Sequence, residues 1–358
     1  LALTACAGPS VNNDSTGAAS GTPEGKSEAV DYSAIEPATE ISFWTNHPGG
    51  SIDIEQSIID EFTKETGIKV NLVTAGANYE EVSQKFQTAQ VSGDAGDLVV
   101  LSDANWFTQY LNGSITPIDP ILEAAGADTS NYVEALYDDY LYEGQHYGVP
   151  FARSTPIFYY NKDQYAAAGL TDAPKTWDEV KANAEKLAQT NSSEVIAFGF
   201  PSEANYPAWT MANLVWGFGG QWSNEWDFSS LTDAKTIEAL TFAQNGVKDG
   251  WGGVLSGDPE SVFAAGGASQ VIASTGSLKG ILESAFFEVG VAFLPAGPAA
   301  DSGIVPTGGA GVAISATSSP EKQLAAAMFA DYLTSTDNTA TFSAGTGYLP
   351  VRTDADMS

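Results

Sequence analysis

Ile41-Ser42-Phe43-Trp44, the segment from Ile52 to Thr66, and the segment from Lys69 to Val73 together decide the fold class of this chain. The first is a short apolar and aromatic run, the composition of a strand. The second carries Ile52, Ile54, Ile58, Ile59 and Phe62, close to the spacing of a helix with one apolar face, and Gly67 comes next as its stop. The third reads as another strand. Further on, Tyr79 to Gln90 has helical composition and Asp97 to Leu101 reads as a buried strand. Strand, helix, strand, helix, strand predicts an α/β domain around a largely parallel sheet.

The rest of the chain changes texture. Ile157-Phe158-Tyr159-Tyr160 is an aromatic strand, and Trp177 to Gln189 is a helix with Thr176 as its N-cap. Val271 to Ala273 and Gly290 to Leu294 read as strands, and Leu324 to Leu333 as an alanine-rich helix. Between residues 198 and 228 lie Phe198, Phe200, Tyr206, Trp209, Trp216, Phe218, Trp222, Trp226 and Phe228. Most of these are expected to fill a second core, with one or two facing a cleft. A length of 358 residues suits about two domains. The expected architecture is two α/β lobes, with the chain crossing between them near 148–155 and again near 270–280.

The N-terminus bears on location. Leu1-Ala2-Leu3-Thr4-Ala5 ends in small residues before Cys6, and this resembles a bacterial lipobox, in which the signal is cleaved and the cysteine acylated. Residues 1–5 are then a signal-peptide remnant, with the true start upstream. Residues 7 to about 37 are rich in Gly, Ser, Ala, Asn, Pro and Thr with almost no large apolar residues, so 6–37 is expected to form a flexible tether from a lipid anchor at Cys6. Composition excludes several classes. Cys6 is the only cysteine, so no internal disulfide or cysteine-rich metal cluster can form, and His47 and His146 are the only histidines. A net charge of −31 repels phosphate backbones and argues against nucleic-acid binding. No apolar run reaches the roughly 18 residues that span a bilayer, and no Walker-type phosphate loop is present.

From Phe151 the chain reads Phe151-Ala152-Arg153-Ser154-Thr155-Pro156-Ile157-Phe158-Tyr159-Tyr160-Asn161-Lys162-Asp163, with Gly169-Leu170 and Pro174-Lys175-Thr176-Trp177 beyond it. It resembles the extracellular solute-binding proteins of ABC importers for sugars and glycerol phosphates. Asn78-Tyr79-Glu80, Ser274-Thr275-Gly276-Ser277-Leu278, Gly308-Gly309-Ala310 and Thr346-Gly347-Tyr348-Leu349-Pro350 are similar to the glycerol-3-phosphate-binding branch. The resemblance runs from about residue 40 to the end. It implies a two-lobed clamshell with a hinge, a ligand held between the lobes, and delivery of that ligand to a membrane permease. It divides the chain into lobe 1 at 38–150 with a return segment at about 275–320, and lobe 2 at 151–270 with a C-terminal segment at about 321–358, expected to be truncated. It implies no cofactor, no metal, a monomeric receptor at the outer face of the cell membrane, and no catalysis.

By the same resemblance, Tyr79, Asp103, Ser154, Trp177, Ser274, Gly309 and Tyr348 line the cleft. Asp103 stands where some relatives have glutamate. The branch holds phosphate with an arginine that would lie beyond Ser358. The residue chemistry suits a polyol: Asp103 accepts, Ser154 and Tyr79 both donate and accept, and Trp177 offers a flat wall. A choline head group would instead draw on an aromatic face. Gly308-Gly309 and Ser274–Ser277 suit an anion approaching backbone N–H groups. Each residue also has a structural reading. Trp177 anchors a helix on a core, Asp103 caps the helix toward Asn105 and Trp106, Gly309 permits a turn, Tyr79 is a surface residue and Tyr348 packs. Arg153 is either part of a phosphate grip or one half of a salt bridge on an acidic surface. His47 is expected at the end of the first strand, facing the cleft. The expected ligand is glycerol-3-phosphate or a glycerophosphodiester such as glycerophosphocholine, with a neutral sugar as the second choice. A secreted glycoside hydrolase is the rival class, but only Asp103 sits among the cleft motifs, without the second carboxylate such enzymes need. A surface adhesin is a weaker third.

Overall fold

The computed structural model describes residues 30–203 and 206–357. Contacts divide the chain after Asp31. Of the first unit only Val30 and Asp31 are described, and the second, Tyr32–Ser358, carries every strand. The strands are β1 (Glu40–Thr45), β2 (Lys69–Thr74), β3 (Leu98–Ser102), β4 (Leu141–Tyr142), β5 (Gln145–His146), β6 (Val149–Ser154), β7 (Pro156–Asn161), β8 (Gly199–Phe200), β9 (Gly253–Val254), β10 (Gln270–Ser274), β11 (Val289–Ala292) and β12 (Gly308–Ile314).

Two five-stranded sheets organise the molecule, one per lobe. The first runs β2-β1-β3-β12-β6 and the second β11-β7-β10-β8-β9, with β4 and β5 forming a separate hairpin. In the first sheet β1 pairs in parallel with β2 and β3, as the strand–helix alternation requires. The helices between them are α1 (Ile52–Thr66) and α2 (Tyr79–Ser92). Ile58, Ile59 and Phe62 of α1 are buried against Ile41 and Phe43 of β1. The run Leu98-Val99-Val100-Leu101 is closed to solvent on both faces, which is why it is continuously apolar. The second sheet is covered by the helix Trp177–Thr190 on one side and by Phe263 and Ile281 on the other.

The chain passes between sheets where β6 runs into β7 through Ser154, Thr155 and Pro156, within the expected first crossing. The second crossing lies later than expected. β10 and β11 both belong to the second sheet, and the chain returns to the first only between Ala292 and Gly308. The return strand β12 lies antiparallel between β3 and β6. Its Gly-rich sequence carries little strand signal, and it is accommodated because its neighbours supply the packing.

Two further expectations are corrected. The C-terminal segment does not join lobe 2. The helix Pro320–Leu333 buries Leu324, Ala325, Ala326, Ala327, Phe329, Ala330 and Leu333 in the same core as Phe43 and Val149, and Phe342, Tyr348 and Val351 lie there too. A helix buried on so many positions needs a large apolar surface, and the first sheet offers it. The tether does not extend to residue 37 either. Tyr32–Ala34 forms a 3-10 turn, Tyr32 and Ile35 pack on the first core, and the Tyr32 hydroxyl donates to Gln323 at 2.5 Å. Cys6 and the remaining tether lie outside the described residues. Among the described residues no helix is long and apolar enough to cross a membrane.

Candidate functional site

The site forms where the first sheet hands the chain to the second. Asn78 caps α2, its side chain accepting from the backbone N–H of Glu81 at 2.9 Å, and this places Tyr79 and Glu80 in the helix's first turn. Asp103 comes directly after β3, Ser154 ends β6, and Gly308 and Gly309 begin β12. Ligand clefts of α/β sheets commonly lie beyond such strand ends. Ser274 ends β10 and caps the turn 275–277, its hydroxyl accepting from the Gly276 N–H at 3.1 Å.

Backbone pairing ties these positions together. Gly308 lies opposite Ser154 and Gly309 opposite Arg153 in the β12–β6 register. The Asp103 N–H donates to the Gly309 carbonyl at 3.1 Å, the Thr275 N–H to the Thr155 carbonyl at 2.9 Å, and the Leu349 N–H to the Arg153 carbonyl at 2.7 Å. Gly309 sits at φ 98°, and a Cβ there would lie 2.1 Å from the Ala152 carbonyl oxygen. The position therefore demands glycine for strand closeness before any ligand is considered.

Tyr348 is the centre of the arrangement. Its hydroxyl lies 3.1 Å from that of Tyr79. Its ring lies on Gly276 of lobe 2 and against Gly49 of lobe 1: a Cβ on Gly276 would come within 2.6 Å of the ring, and one on Gly49 within 3.0 Å. The Tyr348 backbone is held by the Ser343 hydroxyl, which donates to its carbonyl at 2.5 Å. Burial raises the pKa of both phenols, so each is a neutral hydroxyl able to donate and accept. Burial also raises the Asp103 carboxyl to about 6, against the opposing pull of Arg153. One Asp103 oxygen accepts from the Ala104 N–H at 2.9 Å, a local turn contact, while Asn105 rather than Asp103 stands at the start of the helix Trp106–Leu111.

Arg153 is fully buried. Its guanidinium donates to Asp139 and, at 2.8 Å, to the Tyr140 hydroxyl, and Thr307 donates to the same Asp139 oxygen at 3.0 Å. Burial works against the charge, but Tyr140, Asp103 and Asp139 outweigh it and hold the pKa up. Of the two readings of Arg153, the ion pair is the one formed here, with the guanidinium buried and Asp139 partly exposed. Trp177 is not part of the cleft. It is 2% exposed in the second core, with its ring N–H on Asn213 at 2.9 Å. Position one of a helix capped by Thr176 points this large ring into the sheet that the helix covers. His47 is occupied by Glu55, with Nδ1 at 2.5 Å, and by Thr74. The fully buried Glu55 also accepts from Thr45 and Ser51.

The structure thus brings together Tyr79, Asp103, Arg153, Ser154, Ser274, Gly309 and Tyr348, and sets Trp177 apart. It also places residues that sequence reading did not single out. The Trp209 ring N–H donates to the Thr307 carbonyl at 2.9 Å and its ring crowds Gly308, beside Ser154 in the β12–β6 register. Tyr206 reaches Glu80. Both belong to the aromatic run at 198–228. Asp139, Tyr140 and Thr307 carried no signal, because their role depends on partners far along the chain. Among the described residues no group of three or more His, Cys, Asp and Glu side chains is placed to hold a metal ion.

A family model described as bacterial extracellular solute-binding protein matches residues 57–358. The sn-glycerol-3-phosphate-binding periplasmic protein UgpB of Pectobacterium atrosepticum is 29% identical over 91% of this chain and 76% of its own length. The same-named protein of Yersinia pestis is 30% identical over 88% and 75%. Among solved structures, UgpB from Mycobacterium tuberculosis in complex with glycerophosphocholine has 41% identity and a TM-score of 0.85, covering 89% of this chain and 83% of that one. The GacH receptor of Streptomyces glaucescens, at 21% identity and a TM-score of 0.77, shares the two-lobed fold, with 89% of this chain and 82% of that one covered.

Proposed function

The chain belongs to the bacterial extracellular solute-binding proteins, and on that footing we propose that its cleft captures a glycerophosphodiester such as glycerophosphocholine, or glycerol-3-phosphate, for delivery to an ABC permease. The observation that carries the reading is the 41% identity, with a TM-score of 0.85, to a receptor holding glycerophosphocholine. The cleft chemistry supports it. Tyr79 and Tyr348 are neutral hydroxyls, Asp103 is an acceptor, and the Trp209 ring crowds Gly308. A glycerol unit has hydroxyls on one side and carbon on the other, and leaving one such hydroxyl unpaired costs about 1–3 kcal/mol. The ligand is held and released unaltered.

In this reading lobe 1 comprises residues 32–154 with the return from Gly308 onward, lobe 2 comprises residues 156 to about 295, and closure bends the two connections. The receptor works as a monomer. It is anchored through acylated Cys6 and a tether that lets it reach its permease. Calorimetric titration with glycerophosphocholine, glycerol-3-phosphate and maltose in parallel tests this. Binding of either glycerol compound without maltose is expected, and binding of maltose alone would refute it.

A further inference from the structure

Glu80 comes after Tyr79 in the first turn of α2, and its carboxylate accepts a 2.5 Å hydrogen bond from the Tyr206 hydroxyl. Tyr206 lies at the start of the short helix Pro207–Thr210, whose neighbours Leu214 and Val215 pack in the lobe 2 core. The bond therefore joins the two lobes, one residue along the chain from Tyr79. Tyr206 is a non-glycine residue at φ 47°, a costly backbone conformation, and the residue is 49% exposed. Its phenol pKa is raised by burial and then by Glu80, with Tyr348 and Asp103 acting on it as well.

The charges around these tyrosines are unbalanced. Glu80 and Asp103 face them from lobe 1. From lobe 2 comes Glu260, which accepts from the Ser277 hydroxyl at 3.1 Å and acts on Tyr348. Of the cations, two have partners of their own. Arg153 is answered by Asp139, and Lys85 of α2 has its ammonium 4.9 Å from the Trp44 ring centre. An anionic ligand entering such a cleft meets repulsion that a ligand carrying its own positive charge offsets.

Resting on the glycerophosphodiester function, we propose that Glu80 selects the head group. The glycerol end occupies Tyr79, Tyr348 and Asp103, and the Glu80 carboxylate favours a zwitterionic diester with an ammonium head group over one whose head group is uncharged. Tyr206 aims that carboxylate by holding one of its oxygens.

Glycerophosphocholine and glycerophosphoglycerol share a glycerophosphate and differ in head-group charge, so they isolate the effect. Titration calorimetry on the full chain at low ionic strength should show at least a tenfold preference for the choline diester. Glu80→Gln keeps the size and the acceptor for Tyr206 while removing the charge. It should weaken glycerophosphocholine, tighten glycerophosphoglycerol and shrink their affinity ratio at least tenfold, and Glu80→Lys should reverse the preference. An unchanged ratio in Glu80→Gln, or a wild-type chain with no preference, overturns the role of Glu80 while leaving the function intact. A wild-type chain that binds neither diester ends both.

Discussion

Gly276→Ala isolates the contact on which the site is built. A Cβ at this position would stand 2.6 Å from Cζ, 2.7 Å from Cε2 and 2.9 Å from Cε1 of Tyr348. Carbon atoms rest at about 3.5–4.0 Å, so the ring must retreat by roughly 1 Å. Its retreat is obstructed. Phe342 stacks at a tilt with its centroid 5.9 Å away, and Gly49 already approaches from the other lobe. Overpacking of this kind costs about 1–3 kcal/mol. The Tyr348 hydroxyl, 3.1 Å from that of Tyr79, is carried out of hydrogen-bond range, and the ligand loses a paired partner. A loss of about 1.4 kcal/mol is tenfold in affinity. Calorimetry with glycerophosphocholine should therefore show at least a tenfold loss for Gly276→Ala. The same change made in a Tyr348→Ala background should cost almost nothing more, because the clash has lost its second party. Wild-type affinity in the single variant would refute the reasoning. So would an equal loss in both backgrounds, which would mean that the methyl group acts on something other than Tyr348.

The same geometry sets three other outcomes. Asp103 has a folded pKa of about 6, above its ordinary value of 3.8, so the folded chain holds this proton more tightly than the unfolded one. Its charge therefore opposes folding at pH 7, and that penalty fades as pH falls through 6 toward 4. Asp103→Asn should raise the thermal midpoint by a few degrees at pH 7 and by less at pH 4, while weakening the ligand tenfold or more. A lowered midpoint at pH 7 would contradict the burial argument. Arg153→Ala leaves the partly exposed Asp139 without its cation and the Tyr140 hydroxyl without a donor, and should destabilise the chain by about 1–3 kcal/mol in denaturant titration. Its effect on affinity should be similar for phosphate-bearing and neutral ligands, and selective loss of phosphate ligands would restore the direct-grip role. Trp177→Ala empties part of the second core and should cost about 3–5 kcal/mol of stability. Affinity measured well below its melting temperature should stay within a few-fold, and a tenfold loss would return the indole to the site.

Local pattern alone determined much of this protein. The apolar spacing of 52–66 specified α1 between Ile52 and Thr66, and the run at 98–101 specified a strand buried on both faces, because helix and strand periodicities are written into neighbouring residues. The positions Tyr79, Ser154, Ser274 and Tyr348 were singled out by the resemblance of their short motifs to the solute-binding family, not by local periodicity. What only the tertiary structure decided were the pairings between distant segments. Trp177 and Trp209 are both tryptophans near helix starts, and nothing local tells which one a core will swallow. The choice came from which helix covers the second sheet. Arg153 became half of an ion pair because Asp139 and Thr307, far apart in the chain, meet it behind the cleft. The C-terminal helix joined lobe 1 because its apolar surface is nearly all round and needed the larger sheet face. Secondary structure arises from near neighbours, whereas burial and charge pairing depend on which remote surfaces the folded chain brings into contact.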